Sequence, residues 1–395
     1  MKLKKIRNFL SRLGLYGLLF VVILFPLAAV SGFRAAQCRI SGNTIPNEWT
    51  LDMGSEWEVE YISAFWRKND FLNLNGFMRR FLGQREMNDV IKLNNGYLAR
   101  PVGYVSDEEL EPGAASLANL DRYLTASDAE FLVAVAPDSI SKYDPQLPAG
   151  MEDYVNDDLD RMIRMLTERG VEAMDFREVI HEDGIDQYTL MYKTDHHWTT
   201  RAGFYAYGKL ADWIAEKTGV KVDEKIRDIE NYSVTTYEGW HLGSYGQRTG
   251  RLYAGIDDFE LILPKFDTKI TNGEVTGTFE ELFISYDALE KRDMTSRYTY
   301  DVTLEQAWGD YTNLLADNDL KVLVIGDSFT KTVCPYLNIS YKESRFVHYQ
   351  RLDVLTAEYV EEYDPDVVIL LYYPENMLGR DGLQFNIPSV EESAL

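Results

Sequence analysis

Apolar residues in this chain fall either in short continuous runs or at helical spacing. Residues 131–136 and 321–325 form runs too short for helices, and they predict strands that are buried on both faces. Leu159, Met162 and Leu166 recur every three or four positions, which predicts the apolar face of an amphipathic helix. The predicted helices are residues 113–124, 153–169, 201–217, a helix after Phe329, and 353–363; the predicted strands are residues 131–136, 171–176, 321–325, 345–349 and 367–373. Strands that alternate with helices indicate a parallel, doubly wound α/β sheet.

The N-terminus carries the longest apolar run. Arg12 and Arg34 flank an uncharged stretch, residues 13–33, which is long enough to span a hydrocarbon core of about 30 Å. Only basic charges lie ahead of it, and the positive-inside rule keeps such a cluster in the cytoplasm. We therefore expect residues 1–37 to be a basic tail and an uncleaved transmembrane helix, with the rest of the chain outside the membrane. A cleaved signal peptide is the alternative.

Residues 220–320 depart from the alternation of strands and helices. Segments there, such as TKITNGEVTGTFEELFI, alternate in the manner of strands, and we interpret the region as an insertion with β structure. The sequence NNG at residues 94–96 predicts a tight turn between apolar stretches. The predicted organisation beyond the anchor is a juxtamembrane segment over residues 38–75 and an α/β domain over residues 76–385.

Composition excludes some classes of protein. The net charge is −24, and removing the five basic residues that precede the apolar run leaves −29 on the remainder. Such an acidic body repels phosphate backbones, so we expect no nucleic-acid partner. The two cysteines, Cys38 and Cys334, cannot form a metal site by themselves. Neither the charge nor the cysteine count assigns a function.

The segment KVLVIGDSFTK, residues 321–331, is one candidate for chemistry. A buried strand leads into Gly326, Asp327 and Ser328 and then into a helix. Ligands of open α/β sheets bind beyond the carboxyl ends of the strands, where a serine hydroxyl would lie beside backbone amides that stabilise an oxyanion. Gly326 allows a sharp turn and a close approach of substrate. Asp327 or Ser328 capping the helix is an equally good interpretation at this point.

The segment TDHHWT, residues 194–199, is the second candidate. The chain has five histidines, and His196 and His197 are adjacent, follow Asp195 and precede a predicted helix. A serine nucleophile needs an imidazole to accept its proton, and the imidazole needs a carboxylate to orient it. A metal pair or a hydrogen-bonded structural loop would use the same residue types. However, metal sites require three or four ligands, and no further ligand, His241 included, stands at a recognisable spacing.

TDHHWT followed by a helix, with GDSF after a later strand, resembles the DHHW proteins, which are SGNH hydrolase-like relatives of the alginate O-acetylation proteins. FLGQREMNDVIKLNNGYLARP, AVAPDSISKYDPQLP and HLGSYGQRTGR resemble further segments of that family, so the resemblance covers roughly residues 75–380. It implies a flavodoxin-like sheet in which Ser328 is the nucleophile, His197 the base and Asp195 its orienting acid. The serine follows the Asp/His pair, which implies a permuted order of the SGNH motifs.

Other residues are weaker candidates for oxyanion or sugar contacts. They lie near the serine, next to the histidines or in the Gly-rich stretch, and each also has an ordinary packing interpretation. These candidates are Gly326, Tyr336, Arg351, Trp198, Arg248 and the pair Tyr372-Tyr373.

The resemblance implies a serine acyltransferase outside the membrane that O-acetylates a cell-wall or exported polysaccharide through an acyl-Ser328 intermediate. It also implies a membrane O-acyltransferase as partner, and no cofactor or metal. A carbohydrate acetylesterase with the same triad is the first alternative, because only the acceptor, sugar or water, differs. A carbohydrate-binding protein of the cell wall without catalytic activity is the second.

Overall fold

The computed structural model describes residues 68–286, 289, 310–379 and 383–390. Contacts divide the chain into a unit of residues 1–78 and a unit of residues 79–395. The predicted anchor lies outside the described residues. Among the residues described, no helix has both the length and the apolar character that a membrane span requires.

Helices in the described part of the chain include the five predicted ones, with different ends, and seven that the sequence did not predict. In chain order they are α1 (Lys68–Phe81), α2 (Asp107–Thr125), α3 (Val155–Glu168), α4 (Phe176–Glu182), α5 (Thr200–Thr218), α6 (Glu224–Arg227), α7 (Ser244–Thr249), α8 (Arg251–Ala254), α9 (Phe279–Phe283), α10 (Cys334–Ser340), α11 (Ala357–Tyr363) and α12 (Pro374–Leu378). Short 3₁₀ helices cover Gln187–Leu190, Ile229–Asn231, Ser328–Thr332 and Tyr349–Val354.

Two helix starts differ from the prediction for identifiable reasons. Helix α2 begins six residues before the predicted residue 113 and contains Pro112. The carboxylate of Glu109 accepts a hydrogen bond from the backbone N–H of Ser106 and so caps the earlier start. Pro112 lacks an N–H and removes one backbone hydrogen bond within the helix. The predicted helix 353–363 instead begins as a 3₁₀ turn and becomes α-helical only at Ala357, where the side chain of Thr356 provides the N-cap.

Strands in the described residues include the five that the short apolar runs predict, several within residues 220–320, and three short ones between residues 86 and 99 that were not predicted. They are β1 (Glu86–Met87), β2 (Val90–Lys92), β3 (Leu98–Ala99), β4 (Glu130–Val135), β5 (Ala173–Asp175), β6 (Tyr232–His241), β7 (Asp257–Pro264), β8 (Ile270–Asn272), β9 (Val275–Gly277), β10 (Asp310–Asn313), β11 (Lys321–Gly326), β12 (Glu343–His348) and β13 (Val367–Tyr372).

The central sheet has the order β5-β4-β13-β11-β12-β10-β8-β9. Strands β5 to β12 in this order pair parallel with their neighbours. Strands β10, β8 and β9 extend the sheet in antiparallel fashion. The prediction of a largely parallel α/β sheet is therefore confirmed. The β structure predicted within residues 220–320 is partly incorporated into this sheet.

Both faces of the sheet are covered. Along β11, Val322 and Val324 belong to one apolar core, and Leu323 and Ile325 belong to the other. Helix α5 and the β6–β7 hairpin contribute to the first core, whereas α2, α3 and α11 contribute to the second. This arrangement explains why the central strands are continuous apolar runs rather than alternating ones.

Candidate active site

The site lies at the carboxyl end of three neighbouring parallel strands. Val135 of β4 is opposite Tyr372 of β13, and Leu371 of β13 is opposite Gly326 of β11, so the three strands end at one edge of the sheet. The next polar residues of each strand therefore meet there. Tyr373 donates its backbone N–H to Asp327 Oδ2 (2.7 Å) and its hydroxyl to Asp138 Oδ2 (2.7 Å). These bonds fix the strand ends relative to one another.

The turn after β11 orients the candidate nucleophile. Asp327 caps the following 3₁₀ helix by accepting the backbone N–H of Phe329 at 2.9 Å, so the capping interpretation is correct for this residue. Ser328 is only partly buried. A Cβ atom at Gly326 would lie 2.2 Å from the Thr330 side chain and 3.0 Å from the carbonyl oxygen of Leu371, so the close packing here favours glycine before Asp327. The turn therefore uses Asp327 for structure and leaves Ser328 accessible.

The histidine motif lies immediately before α5. Trp198 is 2% exposed, and its indole N–H donates to the carbonyl oxygen of Phe329 at 3.1 Å. This bond ties the motif to the serine turn, although 131 residues separate the two in sequence. The prediction that Trp198 could be a sugar-stacking platform does not fit this burial, because its ring is covered by Phe176 and Phe329.

The two motifs bring together the predicted triad. Nε2 of His197 lies 2.7 Å from Oγ of Ser328. Nδ1 of the same ring lies 3.1 Å from Oδ1 of Asp195. A carboxylate accepts hydrogen bonds, so Nδ1 carries the proton and Nε2 is free to accept the serine proton. This is the hydrogen-bonding order of a serine nucleophile, its base and the acid that orients the base.

Electrostatics favour the same proton arrangement. Burial, reinforced by the neighbouring His196, lowers the pKa of His197 to about 4, so the ring is neutral near pH 7 and can accept a proton. Burial alone would raise the pKa of Asp195. The adjacent His197 and the hydrogen bonds from three histidines outweigh it and hold that pKa well below its usual range. The carboxylate is therefore ionised when the base is neutral.

His196 occupies a different position from its neighbour. Its Nδ1 lies 2.7 Å from Oγ of Ser244, and its ring packs 3.7 Å from the ring of His197, centroid to centroid. Its side chain is 27% exposed, whereas that of His197 is 8% exposed. The hydrogen bond to Ser328 therefore distinguishes His197 from the histidine that precedes it.

Asp195, His196 and His197 also have the residue types of a metal site, and their ligand atoms lie within 4.8 Å of one another. In this geometry, however, both nitrogens of His197 are already engaged, one by Ser328 and one by Asp195. A metal ion would have to break those hydrogen bonds to bind, so the observed arrangement favours the triad.

The remaining sequence candidates occupy varied surroundings. Tyr336 is fully buried among aromatic rings, which gives it a packing role. Arg351 is exposed and forms a 3.2 Å ion pair with Asp353. Arg248 is exposed, and its carbonyl oxygen accepts from Asn88. None of these three contacts brings the residue to the triad.

Sequence reasoning missed several residues that hold the site together. Asn376 donates to Asp327 Oδ2 at 2.8 Å, and Gln187 donates to the carbonyl oxygen of Asp138 at 2.6 Å. His241 and Ser244 contact Asp195 directly. The signal available for His241 was its place in the Gly-rich HLGSYGQRTGR stretch. That pattern indicates a close backbone approach but does not indicate to which residue.

Several classes of serine hydrolase carry a Ser-His-Asp arrangement at the strand ends of a parallel α/β sheet. The family described as the SGNH hydrolase-like domain of the acetyltransferase AlgX matches residues 98–243, which include the whole histidine motif. The resemblance to DHHW and alginate-acetylation proteins is thereby confirmed. Ser328 lies beyond the matched range. No curated protein matches the sequence.

Solved structures share the fold. PatB1 of Bacillus cereus is 20% identical, with a TM-score of 0.58 over 75% of this chain and 99% of that one. A structure of the same protein with a sulfonyl adduct is 18% identical, with a TM-score of 0.58 over 77% and 99%. A DHHW family protein from Eubacterium siraeum is 15% identical, with a TM-score of 0.54 over 76% and 96%. At these identities the comparison establishes the fold alone.

Proposed function

We propose that this protein is an extracytoplasmic serine acyltransferase that O-acetylates a cell-wall or exported polysaccharide. The observation that carries the proposal is the 2.7 Å contact between His197 Nε2 and Ser328 Oγ, with Asp195 on the opposite side of the ring. The matched family is described as that of an acetyltransferase, which supports acyl transfer as the reaction class.

The geometry supports a two-step reaction. Ser328 Oγ attacks the carbonyl carbon of an acyl donor while its proton moves to His197 Nε2. The proton then passes to the leaving group as its bond to the acyl carbon breaks, which leaves acyl-Ser328. In the second step His197 removes a proton from a sugar hydroxyl, whose oxygen attacks the acyl carbon. The serine oxygen leaves with the proton from His197, and the acyl group is now an ester of the sugar.

The partner and the location belong to the same proposal. A membrane O-acyltransferase would supply the acyl group, and residues 13–33 would hold the domain at the outer side of the membrane. Protease added to intact cells should then digest the domain and spare a cytoplasmic control protein. A domain that stays protected until the cells are lysed would contradict this location.

The first experiment asks whether Ser328 is reactive. A sulfonyl fluoride should label Ser328 in the wild-type chain and give no label in Ser328→Ala, a choice of probe supported by the sulfonyl adduct of PatB1. Ser127→Ala is the matched control, because Ser127 precedes β4 at the opposite end of the sheet and its hydroxyl donates to the carbonyl oxygen of Tyr123 at the end of α2. Absence of any label on wild-type Ser328 would favour a binding protein without catalytic activity.

The second experiment separates transfer from hydrolysis. The protein receives a small activated acetyl ester together with an oligosaccharide, and mass spectrometry follows the acetyl group. Acetylated sugar supports the transferase. Free acetate at a rate that does not change with added sugar identifies the esterase instead.

A further inference from the structure

The carboxylate of Asp195 is bonded on both of its oxygens. Oδ1 accepts from Nδ1 of His197 (3.1 Å), from the backbone N–H of His196 (2.8 Å) and from the hydroxyl of Ser244 (2.8 Å). Oδ2 lies 3.0 Å from Nε2 of His241. Nδ1 of His196 also lies 3.0 Å from Oδ1. His241 is therefore the third imidazole at this carboxylate, and it contacts the oxygen that does not face His197.

His241 reaches Asp195 from the last position of β6. Its side chain is 3% exposed, and it is paired across the hairpin with Asp257 of β7. The carboxylate of Asp257 accepts the backbone N–H of Lys193 at 3.0 Å and that of Thr194 at 2.8 Å. Both strands of the hairpin thus hold the histidine motif: the imidazole of His241 on β6 contacts the Asp195 carboxylate, and the carboxylate of Asp257 on β7 binds the backbone just before it.

The backbone after His241 packs directly on the triad acid. A Cβ atom at Gly243 would lie 2.2 Å from Cβ of Asp195, so only glycine permits this approach. The N–H of Gly243 also donates to the Thr194 hydroxyl at 2.9 Å. The separation between residues 241 and 195 is thus fixed by backbone contacts, and the imidazole of His241 is held at hydrogen-bonding distance.

We propose that His241 is a positioning residue for the triad. Its Nε2–H donates a hydrogen bond to Oδ2 of Asp195, and this bond keeps Oδ1 directed at Nδ1 of His197. The carboxylate has donors on both oxygens, so it cannot rotate about its Cβ–Cγ bond without breaking hydrogen bonds. The proton of His241 lies on Nε2 because an ionised carboxylate only accepts hydrogen bonds. This inference rests on the proposed acyl-transfer function, since it assigns how the base of that reaction is oriented.

A packing role is the competing explanation, because the ring of His241 also lies 4.6 Å from that of Tyr192, centroid to centroid. Two substitutions distinguish the roles. His241→Leu fills similar space and offers no donor, whereas His241→Gln places an amide N–H about as far along the side chain as Nε2. His348→Leu is the matched control, since His348 is also a buried histidine at this edge of the sheet, opposite Gly326 on β12, but its ring accepts the backbone N–H of Gln350 instead of contacting Asp195.

The experiment measures three quantities in these variants: the rate of Ser328 sulfonylation, the low-field proton resonance of His197 Nδ1–H, and the melting temperature. His241→Leu should slow sulfonylation by about 10- to 100-fold, the loss expected for one hydrogen bond to a charged group. It should also shift or broaden the resonance. His241→Gln should restore most of the rate and the resonance, and His348→Leu should leave both unchanged.

Two results would overturn the inference without affecting the proposed function. The first is a His241→Leu variant that is labelled at the wild-type rate with an unchanged resonance. The second is equal loss of rate in the Leu and Gln variants that tracks their loss of melting temperature, which would make His241 a packing residue. Failure of wild-type protein to be labelled at Ser328 would overturn the acyl-serine proposal, and this inference with it.

Discussion

Replacing Gly203 by alanine should separate the histidine motif from the serine turn. Gly203 lies in the first turn of α5, directly after the motif, and faces Thr332 in the 3₁₀ helix that begins at Ser328. An added Cβ would lie 2.3 Å from the Thr332 hydroxyl oxygen and 2.5 Å from its carbonyl oxygen, whereas ordinary contacts begin at 3.4 Å. A side chain can rotate away but the carbonyl cannot, so the two segments must move apart by roughly 1 Å.

Both the stability and the rate can be estimated from this displacement. Alanine in place of glycine favours a helix by about 1 kcal/mol, and overpacking of a buried contact costs about 1–3 kcal/mol. The net expectation is a loss of up to about 2 kcal/mol in unfolding free energy. The larger effect should be on catalysis. His197 and Ser328 lie on the two separated segments, and a misplacement of about 1 Å costs on the order of 100-fold in rate.

Urea unfolding and the rate of Ser328 sulfonylation test this prediction together. Gly208→Ala is the matched control, because Gly208 lies in the same helix and an added Cβ there has no neighbour within 4 Å. That variant should gain about 1 kcal/mol and keep its labelling rate. A Gly203→Ala protein that is labelled as fast as Gly208→Ala would refute the argument that this close contact sets the distance between base and nucleophile.

Four further substitutions test individual side chains of the site. His197→Ala should lower turnover at least about 1,000-fold and His196→Ala by about tenfold or less, because the ring of His197 bonds to Ser328. The reverse ranking in a steady-state assay would show that His197 is not the base. Relative to Asp138→Asn, wild-type protein should lose about 2 kcal/mol of unfolding free energy as the pH rises from 4 to 7. Burial raises the pKa of Asp138 to about 6, so between about pH 4 and pH 6 the folded state keeps a proton that the unfolded chain releases. The prediction is wrong if urea unfolding gives the same difference in unfolding free energy between wild type and Asp138→Asn at both pH values. Asp327→Asn should cost about 1–3 kcal/mol, because an amide group would face the backbone and side-chain donors that now bond to the carboxylate; thermal unfolding measures this loss, and an unchanged midpoint would disprove it.

Patterns that act over a few residues were sufficient to predict the parallel strands of the central sheet and the two chemical motifs. Strands β4, β11 and β13 are apolar on both faces, so their sequence shows them as short continuous runs. The motif around His197 was recognisable because its acid and base stand two residues apart. The turn at Ser328 was recognisable because a strand, a glycine and a short helix follow one another directly.

Contacts between distant segments were not predictable in the same way. The partner of His241 is 46 residues earlier in the chain, and nothing near either residue indicates that they meet. Trp198 is a second residue whose contacts the local sequence did not predict. Its position beside the histidines suggested contact with a sugar, whereas its indole is directed into the core toward Phe329. Whether an aromatic residue at a motif faces substrate or core depends on which helix covers it.

The site contains three fully buried carboxylates, and their surroundings assign them different roles. Burial raises the pKa of both Asp138 and Asp327, and their hydrogen bonds come mainly from backbone amides and from a tyrosine that link neighbouring strand ends. Asp195 is equally buried, yet its imidazole partners hold its pKa well below the usual range. An orienting acid must stay ionised while the adjacent imidazole gains a proton, and of the three only Asp195 is in surroundings that favour this. The carboxylates after β4 and β11 therefore connect neighbouring strand ends, whereas in the proposed mechanism the carboxylate before α5, which His241 contacts, orients the base.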